Sequence, residues 1–350
     1  MSEYKQVSVE GLYGIKATTL LDSVSTSDER LTTFVVEYPR IILAELNTHR
    51  MLSRNSASSR AIPFDKMVTQ LTARPVRFGE ANPGMQDKGE QHDGKVIIRD
   101  YEMGDDHSDS VVFATSYEVS GQEAWEFAKE SAVEISKAFY EAGFAKQVYN
   151  RLTEPFQMIK TVISGTEWAN FFWLRNHESA DPTFAELARV MQQAMQESVP
   201  QTLLPGEWHL PYVTSRRDDN GKLEYWLDSE TQLCESDALK VSAARCAAIS
   251  YRNTDYGLEK CRQVHDKLVG DDRKHGSAME HQAKAMTGLD AGGDISLATN
   301  PKTWEQGVTH MDSESNLWSG NFKGWVQYRK LIHGENYRGT VRQEHSFSVA

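Results

Sequence analysis

Thirteen consecutive residues, Thr48-His49-Arg50-Met51-Leu52-Ser53-Arg54-Asn55-Ser56-Ala57-Ser58-Ser59-Arg60, constrain this chain more than any other stretch. They follow the apolar run Ile41-Ile42-Leu43-Ala44 and end at Ala61-Ile62-Pro63, where proline stops any helix. Three arginines, a histidine, an asparagine and four serines cannot serve as a core segment. Arginine presents a rigid fork of donors that matches phosphate, and serine hydroxyls add short-range donors beside it. The composition fits either a solvated serine-rich loop or a cradle for a ligand with several phosphate or carbonyl oxygens.

The rest of the composition narrows the partner. A formal charge of −12 over 350 residues gives no global attraction to nucleic acid or to an anionic membrane. A local arginine pocket can still hold a small anion, so the expected partner is a small phosphate compound. Cys234, Cys246 and Cys261 are an odd set without a CxxC pair. That suits buried thiols in a reduced compartment better than a disulfide framework or a metal site, and no metal is expected. No apolar run reaches membrane-spanning length and the N-terminus lacks a signal pattern, so a cytoplasmic protein is expected.

Along the chain, short strands are predicted near Val7-Ser8-Val9 and Ile15-Lys16-Ala17-Thr18, and a longer one over Leu31–Tyr38, rich in β-branched and aromatic residues. Arg40 to about Leu52 reads as a helix that puts His49, Arg50 and Ser53 on a common side, with the remaining signature as a loop. Residues 64–116 read as an irregular polar insertion with a short strand at Val96-Ile97-Ile98, and 286–315 as a loose glycine-rich region. Gln122–Ala142 is predicted as a long amphipathic helix packing Trp125, Ala128, Ala132, Ile135 and Phe139 into the core. A strand is predicted from Met158 to Ile163, and helices over Thr183–Ser198, Asp237–Ser250 and Gly257–Val269. Arg216-Arg217-Asp218-Asp219-Asn220-Gly221 reads as a solvated hairpin tip. The expected fold class is α+β: one domain over 1–350, a mixed sheet with helices 122–142 and 183–198 packed on it.

The spacing His49-Arg50-x-x-Ser53-x-Asn55-x-x-Ser58-x-Arg60 resembles the signature of the flavin-dependent thymidylate synthases, Arg-His-Arg, seven residues, then Ser. Thr48 stands where that family has its first arginine. Arg151 ahead of Glu154-Pro155 resembles the family's arginine before a Leu-Pro pair. Asn170-Phe171-Phe172-Trp173-Leu174-Arg175 resembles its Asn-Phe-x-x-Leu-Arg segment. The family continues with His-Ala-Gln, where this chain has Ser179-Ala180-Asp181. Ala247-Ala248-Ile249-Ser250-Tyr251 and His275-Gly276-Ser277-Ala278-Met279-Glu280-His281 resemble segments that precede the signature in the family but follow it here, the order left by a circular permutation.

The resemblance implies methylation of dUMP at C5, with methylenetetrahydrofolate supplying the carbon, reduced FAD the hydride, and NADPH recharging the flavin. It implies a homo-oligomer, a tetramer in the family. It assigns His49, Arg50, Ser53, Asn55, Asn170, Ser250 and His281 to the flavin. It assigns Glu45, Ser58, Ser59, Arg60, Arg151 and Arg175 to the nucleotide, with Arg175 and Ser58 catalytic. Glu45 stands where the family has a glutamine. A carboxylate only accepts hydrogen bonds, which suits the exocyclic amine of cytosine, so a dCMP-methylating or hydroxymethylating variant is the alternative. A non-catalytic nucleotide-binding homologue is the rival from another class.

Overall fold

The computed structural model describes residues 4–81, 83, 89–103, 111–251, 255–270, 274–287 and 300–336. In chain order the first half contains β1 (Ser8–Glu10), β2 (Lys16–Ser25), β3 (Arg30–Pro39), α1 (Leu43–Leu46), β4 (Ser53–Ser56), α2 (Phe64–Val68), β5 (Lys95–Met103), β6 (Val111–Ser120), α3 (Gly121–Glu141), α4 (Lys146–Tyr149), β7 (Met158–Gly165) and α5 (Ala169–Arg175). The second half contains α6 (Pro182–Glu197), β8 (Gln201–Leu203), β9 (Trp208–His209), β10 (Thr214–Arg217), β11 (Leu223–Trp226), β12 (Gln232–Leu233), α7 (Glu235–Ala248) and α8 (Leu258–Gly270). Five short strands close it: β13 (Ala283–Ala285), β14 (His310–Met311), β15 (Leu317–Ser319), β16 (Phe322–Lys323) and β17 (Trp325–Gln327). The class is α+β, with small sheets around one larger one.

That larger sheet runs β1-β2-β3-β7-β4, with β8 added to the far end of β2. All pairings are antiparallel except β2 with β8, so the sheet is mixed as expected. Alternation along β3 sends Phe34, Val36 and Tyr38 to one face, where they meet α5 and α6 in the main core with Phe171, Phe184, Leu187 and Met191. The opposite face carries Val35 and Val162, which pack against Cys246 and Ile249 at the end of α7. β4 is the last strand of the order, so its outer edge carries no strand among the described residues.

Helix α6 starts where Asp181 accepts hydrogen bonds from the backbone N–H groups of Thr183 and Phe184, with Pro182 in the first turn. The residue that departs from the Ser-Ala-Asp/His-Ala-Gln comparison thus serves as a helix cap. Helix α3 opens on a reciprocal capping box between Ser120 and Glu123.

Four expectations are corrected. The helix read over 40–52 is a 3₁₀ turn (Arg40–Ile42) followed by the single turn α1. The Thr48 hydroxyl bonds the Glu45 carbonyl, and the Arg54 guanidinium takes the carbonyls of Leu46 and His49, so the acceptors a longer helix needs are already used. Helix α3 does not pack on the sheet; Trp125, Ala132, Val133 and Phe139 lie half-buried against Phe64, Met67, Tyr149 and Phe156, and Ile135 is 52% exposed. The insertion 64–116 holds more than the short strand expected at 96–98: it contains α2 and most of the β5–β6 hairpin, paired from Lys95–Ser120 to Met103–Val111. Cys246 and Cys261 are buried free thiols, but Cys234 is exposed. Residues 288–299 of the region read as loose lie outside the described residues, as does the tail from 337. No helix among the described residues is long and apolar enough to cross a membrane.

Candidate functional site

The signature segment wraps the open edge of the sheet, and strand alternation splits it. On β4, Arg54 and Ser56 point to the α5–α6 face, while Ser53 and Asn55 point to the α7 face. His49, just before the strand, turns toward the aromatic side. Its ring meets Phe171 edge-on at 4.9 Å and Phe184 at 6.0 Å.

There Arg175 Nε donates to His49 Nε2 at 2.8 Å. The Arg175 guanidinium also lies 4.8 Å from the centre of the Phe184 ring and 3.7 Å from Glu45 Oε2. Burial and the nearby charges of Arg175 and Arg54 push His49 down to about 4, so its imidazole stays neutral and accepting at neutral pH. Burial, joined by the charge of Asp181, pushes the Glu45 carboxyl above its usual range, against the pull of Arg175. Two segments 126 residues apart are thereby joined through a directional contact.

On the other face, a cleft of about 570 Å³ opens between β4, the end of α7, α8 and the 3₁₀ turn Gly276–Glu280. Asn55 and Ser250 line it, with Ser277, His275, Lys260, Lys267 and the rings of Tyr251 and Tyr256. Asn55 Nδ2 reaches the Cys246 carbonyl at 3.5 Å, and the Ser250 carbonyl accepts from the Ser58 N–H at 3.3 Å, which seats Ser58 at the cleft's border. The volume and the mixture of hydroxyl, amide, aromatic and cationic groups are those of a small-molecule site.

A third group lies where the 3₁₀ turns Ser59–Ala61 and Asn150–Phe156 meet. Asn150 Nδ2 donates to the carbonyls of Ser59 (2.8 Å) and Ile62 (2.9 Å), and Ser59 Oγ donates to Glu154 Oε1 at 2.5 Å. Glu154 also pairs with Arg40 at 3.1 Å. Arg60 and Arg151, on these two linked turns, are exposed and have no ion pair among the described residues. Arg50 is likewise exposed and unpaired.

Not every expected residue joins these groups. Ser53 is buried and bonded to Asn321 (3.1 Å) and Gln327 (3.5 Å), so its hydroxyl is used inside the protein. The expected common side for His49, Arg50 and Ser53 is therefore not formed: one faces the aromatics, one faces solvent, and one is in a strand facing away. Asn170 is exposed on the outer face of α5 beside Trp173, which is 74% exposed, and is not joined to His49 within this chain. His281 is fully buried under the sheet, at the end of a hydrogen-bonded row. Ser23 Oγ meets His209 Nδ1 (2.8 Å), His209 Nε2 meets Thr33 Oγ1 (2.8 Å), Thr33 meets Ser164 (2.7 Å), and Ser164 meets His281 Nδ1 (2.9 Å). The His281 Nε2 atom at the end of this row has no partner among the described residues. Burial pushes both imidazoles down to about 3.

The sequence reading left Lys260, Lys267, His275 and Ser277 out of the site. The available signal for the lysines was their seven-residue spacing, with Val264 and Leu268 on the same helical face.

No protein-family model and no curated protein matches the chain. Among solved structures it is similar to the UMP/dUMP methylase PolB from Streptomyces cacaoi, bound with 5-Br UMP. That match covers 48% of this chain and 68% of the other, at 20% identity and a TM-score of 0.32.

Proposed function

We propose that this chain is a flavin-dependent enzyme that methylates a pyrimidine deoxynucleoside monophosphate, dUMP, at C5, working as a homo-oligomer. The observation that carries the reading is the position of β4. This four-residue strand holds the 49–60 segment against α5 and Arg175 on one face and, on the other, presents Asn55 to the cleft shared with Ser250 and Ser277. His49, Asn55, Arg175, Ser250 and Ser277, from segments that resemble the flavin-dependent family, lie on the two sides of that edge, and this proximity supports the reading.

The cleft's donor set is what a flavin requires. Asn55, Ser250 and Ser277 offer groups for the heteroatom edge of the ring, and Tyr251 and Tyr256 offer apolar surface. Because the cleft and Arg175 lie on opposite faces of β4, the homo-oligomer would set one subunit's cleft against its neighbour's Arg175. A reduced flavin bound in the cleft would then supply the hydride, with NADPH to recharge it and methylenetetrahydrofolate to supply the carbon. Arg175 would lie against the pyrimidine carbonyls and hold the negative charge that spreads onto the ring when C5 becomes nucleophilic. Its Nε is already fixed by His49, which leaves its terminal nitrogens to point at the nucleotide. Ser58, Arg60 and Arg151 would meet the phosphate, the two arginines being exposed cations on linked turns, while Ser59, buried with its hydroxyl given to Glu154, braces those turns instead.

A second reading concerns the base. Glu45 stands 3.7 Å from Arg175, so a pyrimidine held by Arg175 meets a carboxylate, and a carboxylate accepts from the cytosine amine. This favours dCMP as substrate for the same chemistry. The test is a visible absorption spectrum of the purified chain after adding FAD, followed by turnover assays with dUMP and dCMP. A yellow protein that methylates one of them is expected; nucleotide binding without flavin would overturn the enzyme in favour of a non-catalytic binder.

A further inference from the structure

Helix α8 turns Lys260, Val264, Lys267 and Leu268 into the cleft, positions i, i+4, i+7 and i+8 of one helical face. Its other charges are spent within the protein. Arg262 pairs with Asp237 at 2.6 Å and with Glu259 at 3.8 Å, and Asp266 pairs with Lys240 at 3.8 Å. Lys260 and Lys267 have no ion pair or hydrogen bond to any described residue. In a chain of net charge −12, both cations that the helix leaves unpaired thus stand on the wall of the same cleft. Helical rise separates their backbones by about 10 Å along the axis, with apolar Val264 and Leu268 beside them. On flexible four-carbon stems, two lysines at this separation can converge on adjacent negative charges or take charges spaced along an extended group.

We propose that Lys260 and Lys267 grip the anionic extension of the ligand that fills this cleft, a group with at least two negative charges attached to a ring system. The inference rests on the reading of the cleft given above. On that reading two sources share this chemistry: the diphosphate of FAD and the row of carboxylates on an oligoglutamyl folate.

The test is calorimetric titration of the full chain and of Lys260→Gln/Lys267→Gln, with Lys137→Gln on α3 as a control for net charge. The probes are FAD against riboflavin, pentaglutamyl against monoglutamyl tetrahydrofolate, and inorganic tripolyphosphate alone. The expected result is that one long anionic ligand binds the unaltered chain at least tenfold more tightly than its short counterpart. The double variant should lose that ratio while the short ligand binds as before, and added salt should erode the same ratio. The pair that shows the ratio identifies the source. Ratios that survive the double substitution, or that never differ from one for all probes, overturn the proposal. Tripolyphosphate binding that is lost in the double variant, with neither flavin nor folate bound, supports the lysine pair and overturns the methylase reading.

Discussion

On the aromatic side of β4, the two cations that touch His49 are already answered by the protein: Arg175 by His49, Glu45 and the Phe184 ring, and Arg54 by the carbonyls of Leu46 and His49. On the cleft side, Lys260 and Lys267 have no partner among the described residues, and Asn55 and Ser250 reach theirs at 3.5 Å, the long limit of a hydrogen bond. The first arrangement is pre-organised. Its geometry is fixed before any ligand arrives, as a group that must stabilise developing charge requires. The second is receptive, with donors whose bonding capacity is left for a ligand. One strand four residues long separates an electrostatic station from a binding station.

The largest break in that contrast comes from Arg175→Ala. Removing a fixed donor aimed at developing charge costs about 10²–10³ in turnover in comparable sites. Here Arg175 also holds His49, so if it is the proposed electrostatic catalyst, loss at or beyond that range is expected. Flavin affinity, if the cleft on the other face is the flavin site as proposed, should stay within about twofold, since sites without shared contacts behave independently. Retained methyl transfer would remove Arg175 from the catalytic centre, and lost flavin would show that the two stations are not separate.

The next effect separates buried from half-buried imidazole. His209 and His281 have folded values near 3 against an ordinary value of 6.5, both lowered by burial. Between those limits the unfolded chain binds more protons than the folded one. Stability is therefore complete above about pH 6.5 and falls as the pH drops through the window, by up to roughly 1.4 kcal/mol per pH unit for each histidine. Urea unfolding at pH 7 and pH 5.5 should show a loss on the order of 2–3 kcal/mol from this pair. His209→Asn/His281→Gln should flatten the profile by that amount, and an unchanged profile would mean that the row Ser23–His209–Thr33–Ser164–His281 does not hold neutral imidazoles. His49, pushed only to about 4, keeps accepting from Arg175 across the same range.

What could be read from the sequence, and what could not, follows the same divide. The β-branched run at 31–38, the capped helices α3 and α6, and the need of Arg175 for a partner all leave local marks: alternation, caps, and a cation among aromatics, though nothing local names His49 as that partner. β4 leaves none. Ser53-Arg54-Asn55-Ser56 has no apolar alternation, and it is a strand because β7 supplies the ladder from Thr161 to Ser164. Helical spacing at 49, 50 and 53 therefore misled, since the carbonyls that would have continued the helix are taken by Arg54, a side chain from within that strand. The unpaired lysines were equally hidden, because the charge pattern of α8 does not say which cations find partners on α7.

The smallest expected effect sharpens the pre-organised side. Glu45 Oε2 lies 3.7 Å from Arg175 Nη1, too long for a hydrogen bond and close enough for charge to be felt. Its burial costs the ionised form, and Asp181 opposes ionisation further, so only the guanidinium favours the carboxylate. Glu45→Gln keeps the shape, removes the charge, and adds a donor that can face a uracil carbonyl. If Glu45 reads the base, the ratio of kcat/KM for dUMP over dCMP should rise about five- to twentyfold, the equivalent of roughly 1–2 kcal/mol, with Arg175 still in place. A ratio that does not move, with both rates lowered together, would mean that Glu45 only braces Arg175 and that the choice of base is made elsewhere.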